Sequence, residues 1–305
     1  MQRYIIKRIG QAIFTVLVIT VLVFFLMRLS GDPVSIMAPP DATQEYIDAL
    51  TAKFGLDQPV LVQLWVFLKK AVRGDFGESF RWQQPALGLV FHRFPATMQL
   101  GIVAALIAWG VGIPIGLWSA VRRDTWFDRF GKAFALVGQA TPSFWLGVML
   151  MLLLGVRLGW LPISGREGWT SVIMPAITIS FIMLAGVTRL SRSAMVEALT
   201  SEYVTMARIK GVPERAVIVI HAFKNACIPI LTLMALQITR LFMGAVVAET
   251  IFSWPGLGKM ALEAVFARDF PVVQAVVLFS AVLFCTVNIL VDVLYAYVDP
   301  RIRYR

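Results

Sequence analysis

From Ile9 to Met27 the chain is apolar except for Gly10, Gln11, Thr15 and Thr20, about the length of helix needed to cross the hydrocarbon core of a bilayer. Five more stretches read the same way: roughly Ala96 to Val121, Ala133 to Val156, Val172 to Leu190, Ile228 to Ile251 and Val272 to Tyr297. The expected fold is therefore all-α, a polytopic membrane protein with six transmembrane helices. The second stretch carries Gly110, Gly112, Pro114 and Gly116, residues tolerated where neighbouring membrane helices re-satisfy the backbone. Arg3, Lys7 and Arg8 precede the first stretch, as in a signal peptide. Its apolar run is too long for a signal core, however, and only Arg28 and Gly31-Asp32-Pro33 follow, with no small-x-small cleavage site. It is expected to stay as the first helix.

Composition excludes the soluble classes. The chain is 58% hydrophobic and 15% charged, against roughly 45–50% and 25% for a soluble domain. Its net charge of +10 does not indicate a nucleic-acid partner. Residues 30–93 hold 6 basic and 7 acidic residues, while the rest of the chain holds 22 and 11, so the excess lies beside the hydrophobic stretches. With the N-terminus inside, the short inner segments carry 16 Lys and Arg against 5 on the outer side, the asymmetry that sets membrane orientation. Both termini are expected in the cytoplasm. The long segment after the first span crosses whatever its charge. Cys227 and Cys285 form no disulfide framework and no metal spacing.

The segment from 30 to 95 reads as folded and extracytoplasmic. Asp41 or Thr43 can cap a helix ending near Gly55, and Pro59 can open another ending near Gly74. On the latter, Leu61, Leu64, Trp65 and Leu68 share a face. Pro85 is a candidate start for a third. This segment is either a small lid on the membrane helices or a docking surface for an extracytoplasmic partner.

Catalytic constellations are missing. His92 and His221 fall on opposite sides of the membrane in this topology, and no HExxH or nucleophile–base set occurs on one side. Gly256-Leu257-Gly258-Lys259 mimics the end of a phosphate-binding loop, but Ser253 stands where the first glycine belongs and Met260 replaces the magnesium-binding hydroxyl. Ionisable groups inside spans are functional candidates: Arg240 at mid-span, Glu249 near an outer end and Asp292 toward an inner end. For Glu249 and Asp292 the alternative is a structural pair or cap. Arg240, with Gln237 and Glu249, makes the candidate translocation pathway; Gln237 and Asn288 are equally candidates for interhelical hydrogen bonding. A self-sufficient ion-coupled transporter would want acids near the midplane at a repeat interface, and Arg240 has no such companion.

Between the fourth and fifth spans, residues 197–225 are long and polar for an inner loop. Tyr203, Val204, Ala207 and Ile209 suit a short amphipathic helix, Gly211 and Pro213 break it, and Glu214 opens a second. Such a projection, with small residues at its turn and Arg208 and Lys210 at its rim, suits insertion into a cleft of another protein, although composition alone favours a plain loop.

Tyr203-Val-Thr-Met-Ala-Arg-Ile-Lys-Gly211 and His221-Ala-Phe-Lys-Asn-Ala-Cys-Ile-Pro229 resemble the cytoplasmic loop of ABC-importer permeases of the dipeptide/oligopeptide/nickel/glutathione family. Similar matches are Gly31-Asp-Pro33, Phe54-Gly-Leu-Asp-Gln-Pro59, Gly74-Asp-Phe-Gly77, Leu158-Gly-Trp-Leu-Pro162, Thr188-Arg-Leu-Ser-Arg-Ser193, Trp254-Pro-Gly-Leu-Gly258, Val291-Asp-Val-Leu-Tyr295 and Asp299-Pro-Arg301. The chain looks like the first of that family's two permeases, the one with the long outer loop. Where general ABC permeases carry Glu-Ala-Ala, three residues and Gly, this chain has Thr205, Met206, Ala207 and then Gly211.

The resemblance implies a type I ABC importer permease-like fold. Residues 1–29 would be the N-terminal tail and first helix, 30–95 the extracytoplasmic helical segment, and 96–305 a five-helix core with its coupling loop at about 196–227. That loop, with Tyr203, Thr205, Ala207, Arg208, Lys210, Gly211, Val212 and Glu214, would seat in a groove of an ATPase. The implied partners are a homologous second permease, two ABC ATPase subunits that carry the ATP and magnesium, an extracytoplasmic solute-binding protein and the lipid bilayer. The implied function is a non-enzymatic permease subunit in a bacterial inner membrane, forming half of a pathway for short peptides, with glutathione or chelated nickel as alternatives.

Overall fold

The computed structural model describes residues 2–29, 34, 41–53 and 55–298, with the backbone alone at 2–5, 53, 239, 240, 242–244 and 294–298. Gly31-Asp32-Pro33, Phe54 and Asp299-Pro300-Arg301 lie outside the described residues, as does the side chain of Arg240. Eleven helices carry the architecture of the described residues: α1 (Gln2–Leu29), α2 (Gln44–Lys53), α3 (Val60–Val72), α4 (Ala86–Val121), α5 (Trp126–Ala140), α6 (Ser143–Leu150), α7 (Ile173–Leu199), α8 (Glu202–Ile209), α9 (Phe223–Ile251), α10 (Leu257–Phe266) and α11 (Phe270–Val298). An isolated bridge between Glu78 and Pro85 is the one extended pairing among them.

Five helical stretches are long and apolar enough to cross a membrane: Ile6–Leu29, Ala86–Val121, Thr170–Leu199, Glu214–Ile238 and Phe270–Val293. The sixth differs from the single helix expected over Ala133 to Val156. It is a pair, Trp126–Ala140 and Ser143–Arg157, bent by 102°. The cause is Thr141-Pro142. A residue before proline is pushed out of the helical region, and Thr141 takes φ −79 and ψ 120 while Pro142 starts α6. Hydropathy stays high across the break and so hides it.

Other boundaries move for related reasons. The helix expected to begin at Pro85 is the start of α4 itself, with the Leu89 amide donating to the Pro85 carbonyl at 3.2 Å. α7 runs nine residues past Leu190, to Leu199, because a helix needs only its own hydrogen bonds to continue beyond the apolar zone.

The chain divides into two compact units, Met1–Pro95 with Lys259–Ile289, and Ala96–Gly258 with Leu290–Arg305. In the first, α3 is held to α1 by Phe67 stacked on Phe24 at 5.7 Å and by Arg28, which lies 3.8 Å over the Phe24 ring and donates to Gln63. On the shared face of α3, Leu64 and Leu68 are half-buried while Leu61 and Trp65 are exposed, and no residue of the helix is fully buried. Asp269 accepts from the Ser79 hydroxyl at 2.5 Å and from the Arg81 amide at 3.2 Å, and also faces the first turn of α11 through the Val272 amide. Phe279 on α11 meets Phe91 and Phe94 edge-on.

In the second unit, α7 packs against α5, α6 and α9. Its core is built from small residues. Ala96, Leu100, Ala104 and Ala108 recur every fourth residue of α4 and meet Ala176, Ile179 and Leu184 of α7 and Ala245 and Ala248 of α9. Lipid is as apolar as leucine, so membrane helices associate through close backbone approach and interhelical hydrogen bonds. Gly112 and Gly116 of α4 serve that approach. The Thr188 hydroxyl donates to the Gly112 carbonyl at 3.2 Å, and a Cβ on Gly116 would run into the Thr188 carbonyl and the Ser191 side chain.

Replacing Gly116 by alanine should therefore lower thermal stability in detergent, by an overpacking cost of about 1–3 kcal/mol. Gly110, with nothing within 4 Å of an added Cβ, should accept alanine without loss. Equal melting temperatures for the two variants would contradict this packing.

Candidate functional site

The 196–227 segment forms a helical projection with a rigid base. α8 follows α7 after a two-residue turn, Thr200-Ser201, in which the Thr200 hydroxyl donates back to the Val196 carbonyl at 3.0 Å. Two faces of α8 differ. Val204 and Ala207 are buried with Ala194, Met195 and Ala198 of α7, Val217 and Ala222 of the following π-helix Val217–Ala222, and Ala226 of α9. Tyr203, Met206 and Ile209 point outward, at 43%, 58% and 75% exposure. The sequence pattern named Tyr203, Val204, Ala207 and Ile209 together as an amphipathic helix; of these only Val204 and Ala207 are buried.

The turn after α8 needs its glycine. Gly211 has φ +75 and open space around it, a conformation that L side chains rarely adopt. Its amide donates to the Arg208 carbonyl at 3.0 Å, and the Val212 amide to the Ala207 carbonyl at 3.1 Å. Arg208, expected at the rim for an outside partner, instead closes this turn. Its Nε and Nη2 donate to Glu214 at 3.1 and 2.8 Å, and its Nη1 to the Leu199 carbonyl at 3.3 Å. The Glu214 carboxylate raises the Arg208 pKa above its ordinary value through these hydrogen bonds. Such an exposed pair adds little stability. Burial of Val204 and Val217, each worth about 1.5–3 kcal/mol, anchors the projection, and the Arg208–Glu214 fork fixes its angle. Thr205 bonds back to the Ser201 carbonyl at 3.2 Å, and Lys210 is exposed.

Of the three pathway candidates, two have well-defined surroundings. The Gln237 carbonyl accepts from Trp109 Nε1 at 2.8 Å and its amide donates to the Met183 carbonyl at 2.8 Å, which ties α9 to α4 and α7 in the interior. Glu249 is fully buried and accepts from the Thr97 hydroxyl at 2.6 Å. The Leu257 amide donates to the same hydroxyl at 2.8 Å, and Trp254, also fully buried, donates from Nε1 to the Ala96 carbonyl at 2.9 Å. Gly256 and Gly258 leave the space that the Glu249 carboxylate fills. The Trp254-Pro-Gly-Leu-Gly258 run is thus a turn wrapped around one acid. Thr97 was missed in the sequence because a threonine in an apolar stretch gives no signal of its own.

A second acid braces the opposite end of this unit. Asp128, fully buried at the start of α5, accepts from Arg192 Nε and Nη2 of α7 at 2.5 and 2.9 Å, from Lys132 at 2.9 Å and from the Asp124 amide at 3.0 Å. Removal of Arg192 would leave the fully buried Asp128 with Lys132 as its one remaining cation among the described residues, a larger penalty than loss of a surface pair. Among the described residues no cluster of three His, Cys, Asp or Glu side chains is placed to hold a metal.

α8, carried by a bundle of helices long and apolar enough to cross a membrane, leaves Tyr203, Met206 and Ile209 exposed. Residues 112–304 match the binding-protein-dependent transport system inner membrane component family, and residues 1–101 match its N-terminal companion. The chain belongs to this family of importer permeases.

Glutathione transport system permease protein GsiC of Salmonella typhimurium is 40% identical over the whole of both chains. A putative peptide transport system permease protein of Brucella abortus is likewise 40% identical over the whole of both. Among solved structures, the inward-facing MetNI methionine ABC transporter aligns with a TM-score of 0.59 at 14% identity, over 69% of this chain and 96% of that one. An amino acid ABC transporter aligns with a TM-score of 0.54 at 15% identity, over 69% and 94%. These neighbours share the fold. The chain is an all-α, multi-pass ABC permease of the inner membrane, a transport subunit that works with ATPase and permease partners.

The buried acid gives a direct test. Thr97→Val removes a hydroxyl that both donates to Glu249 and accepts from Leu257, and should destabilise by about 1–3 kcal/mol, whereas Thr97→Ser should restore most of it. Melting curves that rank valine equal to threonine would show that the acid is held some other way.

Proposed function

We propose that this permease forms half of the pathway of an ATP-driven importer of short peptides. The other half comes from a similar second permease, two ATPases hydrolyse ATP with magnesium on the inner side, and an extracytoplasmic solute-binding protein delivers the substrate. The single observation that carries this reading is α8. Val204 and Ala207 root it in the α7–α9 core, Gly211 and the Arg208–Glu214 fork set its direction, and Tyr203, Met206 and Ile209 are left for a groove in the ATPase. A push on α8 then reaches α7 and α9 through the buried cluster around Val217 and Ala222. The bias of basic residues to one set of short loops supports a cytoplasmic position for α8 and both termini.

Substrate class follows the relatives named for peptide and for glutathione transport, which stand at the same identity. Glutathione is itself a small peptide bearing carboxylates, so it is the alternative substrate of the same pathway. Arg240, a cation in the middle of α9 by sequence, is the residue we assign to a passing carboxylate. Gln237 and Glu249 support the walls from within. ATP binding and the loaded binding protein drive the cycle only if each favours the outward-open state over the inward one, because equal affinity for both shifts nothing.

Purification of the tagged chain from its host should bring down a second six-span permease and one or two nucleotide-binding proteins. Gly211→Arg should abolish ATP-driven peptide uptake while insertion into the membrane stays normal, since it strains the turn and puts a long cation on the docking face. Wild-type uptake by that variant at normal expression would overturn the coupling role of α8. In vesicles, dipeptides and tripeptides should compete with one another for uptake; competition by glutathione alone would move the substrate to the alternative.

A further inference from the structure

A groove of about 500 Å³ lies beside the root of α8 in the second unit. Its walls are Leu117 and Val121 at the end of α4, Met195 of α7, and Ile218 and Phe223 at the joint between the π-helix and α9. Two of its walls are ends of membrane-crossing stretches: Ala86–Val121 finishes there and Glu214–Ile238 begins there. The groove therefore straddles the boundary between hydrocarbon and headgroups. Trp118, about half exposed on its lip, is the residue type that settles at that depth.

The rim is cationic. Arg215 lines the groove, and the Arg122 guanidinium lies 5.3 Å above the Trp118 ring. Neither forms an ion pair among the described residues. The nearest carboxylates in sequence are engaged elsewhere, Glu214 by Arg208 and Asp124 by Arg123. An apolar slot under two guanidinium groups matches one amphiphile, with a hydrocarbon tail below and an anionic phosphate above. Basic pockets between membrane helices commonly hold such headgroups.

We propose that this groove is a binding site for one anionic phospholipid of the surrounding bilayer, its acyl chain against Leu117, Ile218 and Phe223 and its phosphate on Arg122 and Arg215. The lipid then lies against the π-helix that joins α8 to α9. π-helical turns recur at functional positions, and this one carries the link between the ATPase-facing helix and the membrane core. A neighbouring protein helix in the same groove is the competing occupant. It would have to bring its own buried anion to meet the two arginines.

The test is native mass spectrometry of the full-length protein, purified with whatever subunits accompany it. It is titrated with phosphatidylglycerol or phosphatidylcholine of identical acyl chains. The wild type should retain one phosphatidylglycerol in preference to phosphatidylcholine, by roughly fivefold for each basic group engaged. The double variant Arg122→Gln/Arg215→Gln should lose that preference, Arg123→Gln should keep it, and Val219→Trp, which fills the groove from its exposed wall, should retain neither lipid. Equal retention of the two lipids by the wild type, no retention of either, or a preference that survives the double substitution would each overturn the proposal. The wild-type ratio decides the matter even if a variant fails to fold. Failure of the importer reading would show separately, as the absence of any ATPase in the same spectrum.

Discussion

Within a bilayer the hydrophobic effect holds a chain across the membrane but does little to hold one helix against another. The second unit of this permease shows what does the work instead. Ala104 and Ala108 of α4, together with Gly112 and Gly116, let α7 approach to backbone contact. A few buried polar contacts then fix the register: Gln237 between Trp109 and the Met183 carbonyl, Glu249 on Thr97, and Asp128 on Arg192. Each costs desolvation and is tolerated only because its partners are complete. They sit at the middle and at both ends of the unit, so the helices have one way to fit.

α8 is not a free loop. Its inner face, Val204 and Ala207, is continuous with the cores of α7 and α9 through Val217 and Ala222. Arg208 is engaged by Glu214 and by the Leu199 carbonyl, which closes the turn after the helix. Tyr203, Met206, Ile209 and Lys210 are left exposed.

Much of this was legible before any coordinates. The spans could be read because bilayer thickness converts directly into a run of residues, and the run survives in one dimension. Gly211 and Pro213 mark where α8 stops, but the composition of the segment is equally that of a plain loop, so the helix itself was only one of two readings. The third span could not be read correctly, since hydropathy is blind to the turn that Thr141-Pro142 imposes, and the 102° bend appears only in space. Leu61, Leu64, Trp65 and Leu68 lie on one side of α3, but periodicity says which residues travel together and not how far each is covered.

The sequence by itself determined that this protein is helical, that it crosses the membrane repeatedly, and that a long polar segment broken at Gly211 and Pro213 follows the fourth span. Those are properties of neighbouring residues, fixed by hydrophobic length, by glycine and proline, and by charge. Only the tertiary structure decided what the polar residues inside the spans are for. Thr97 and Glu249 are 152 residues apart, and Trp109 and Gln237 are 128 apart. A buried hydrogen bond belongs to two atoms brought within 3 Å by packing, and no local pattern records which two they will be.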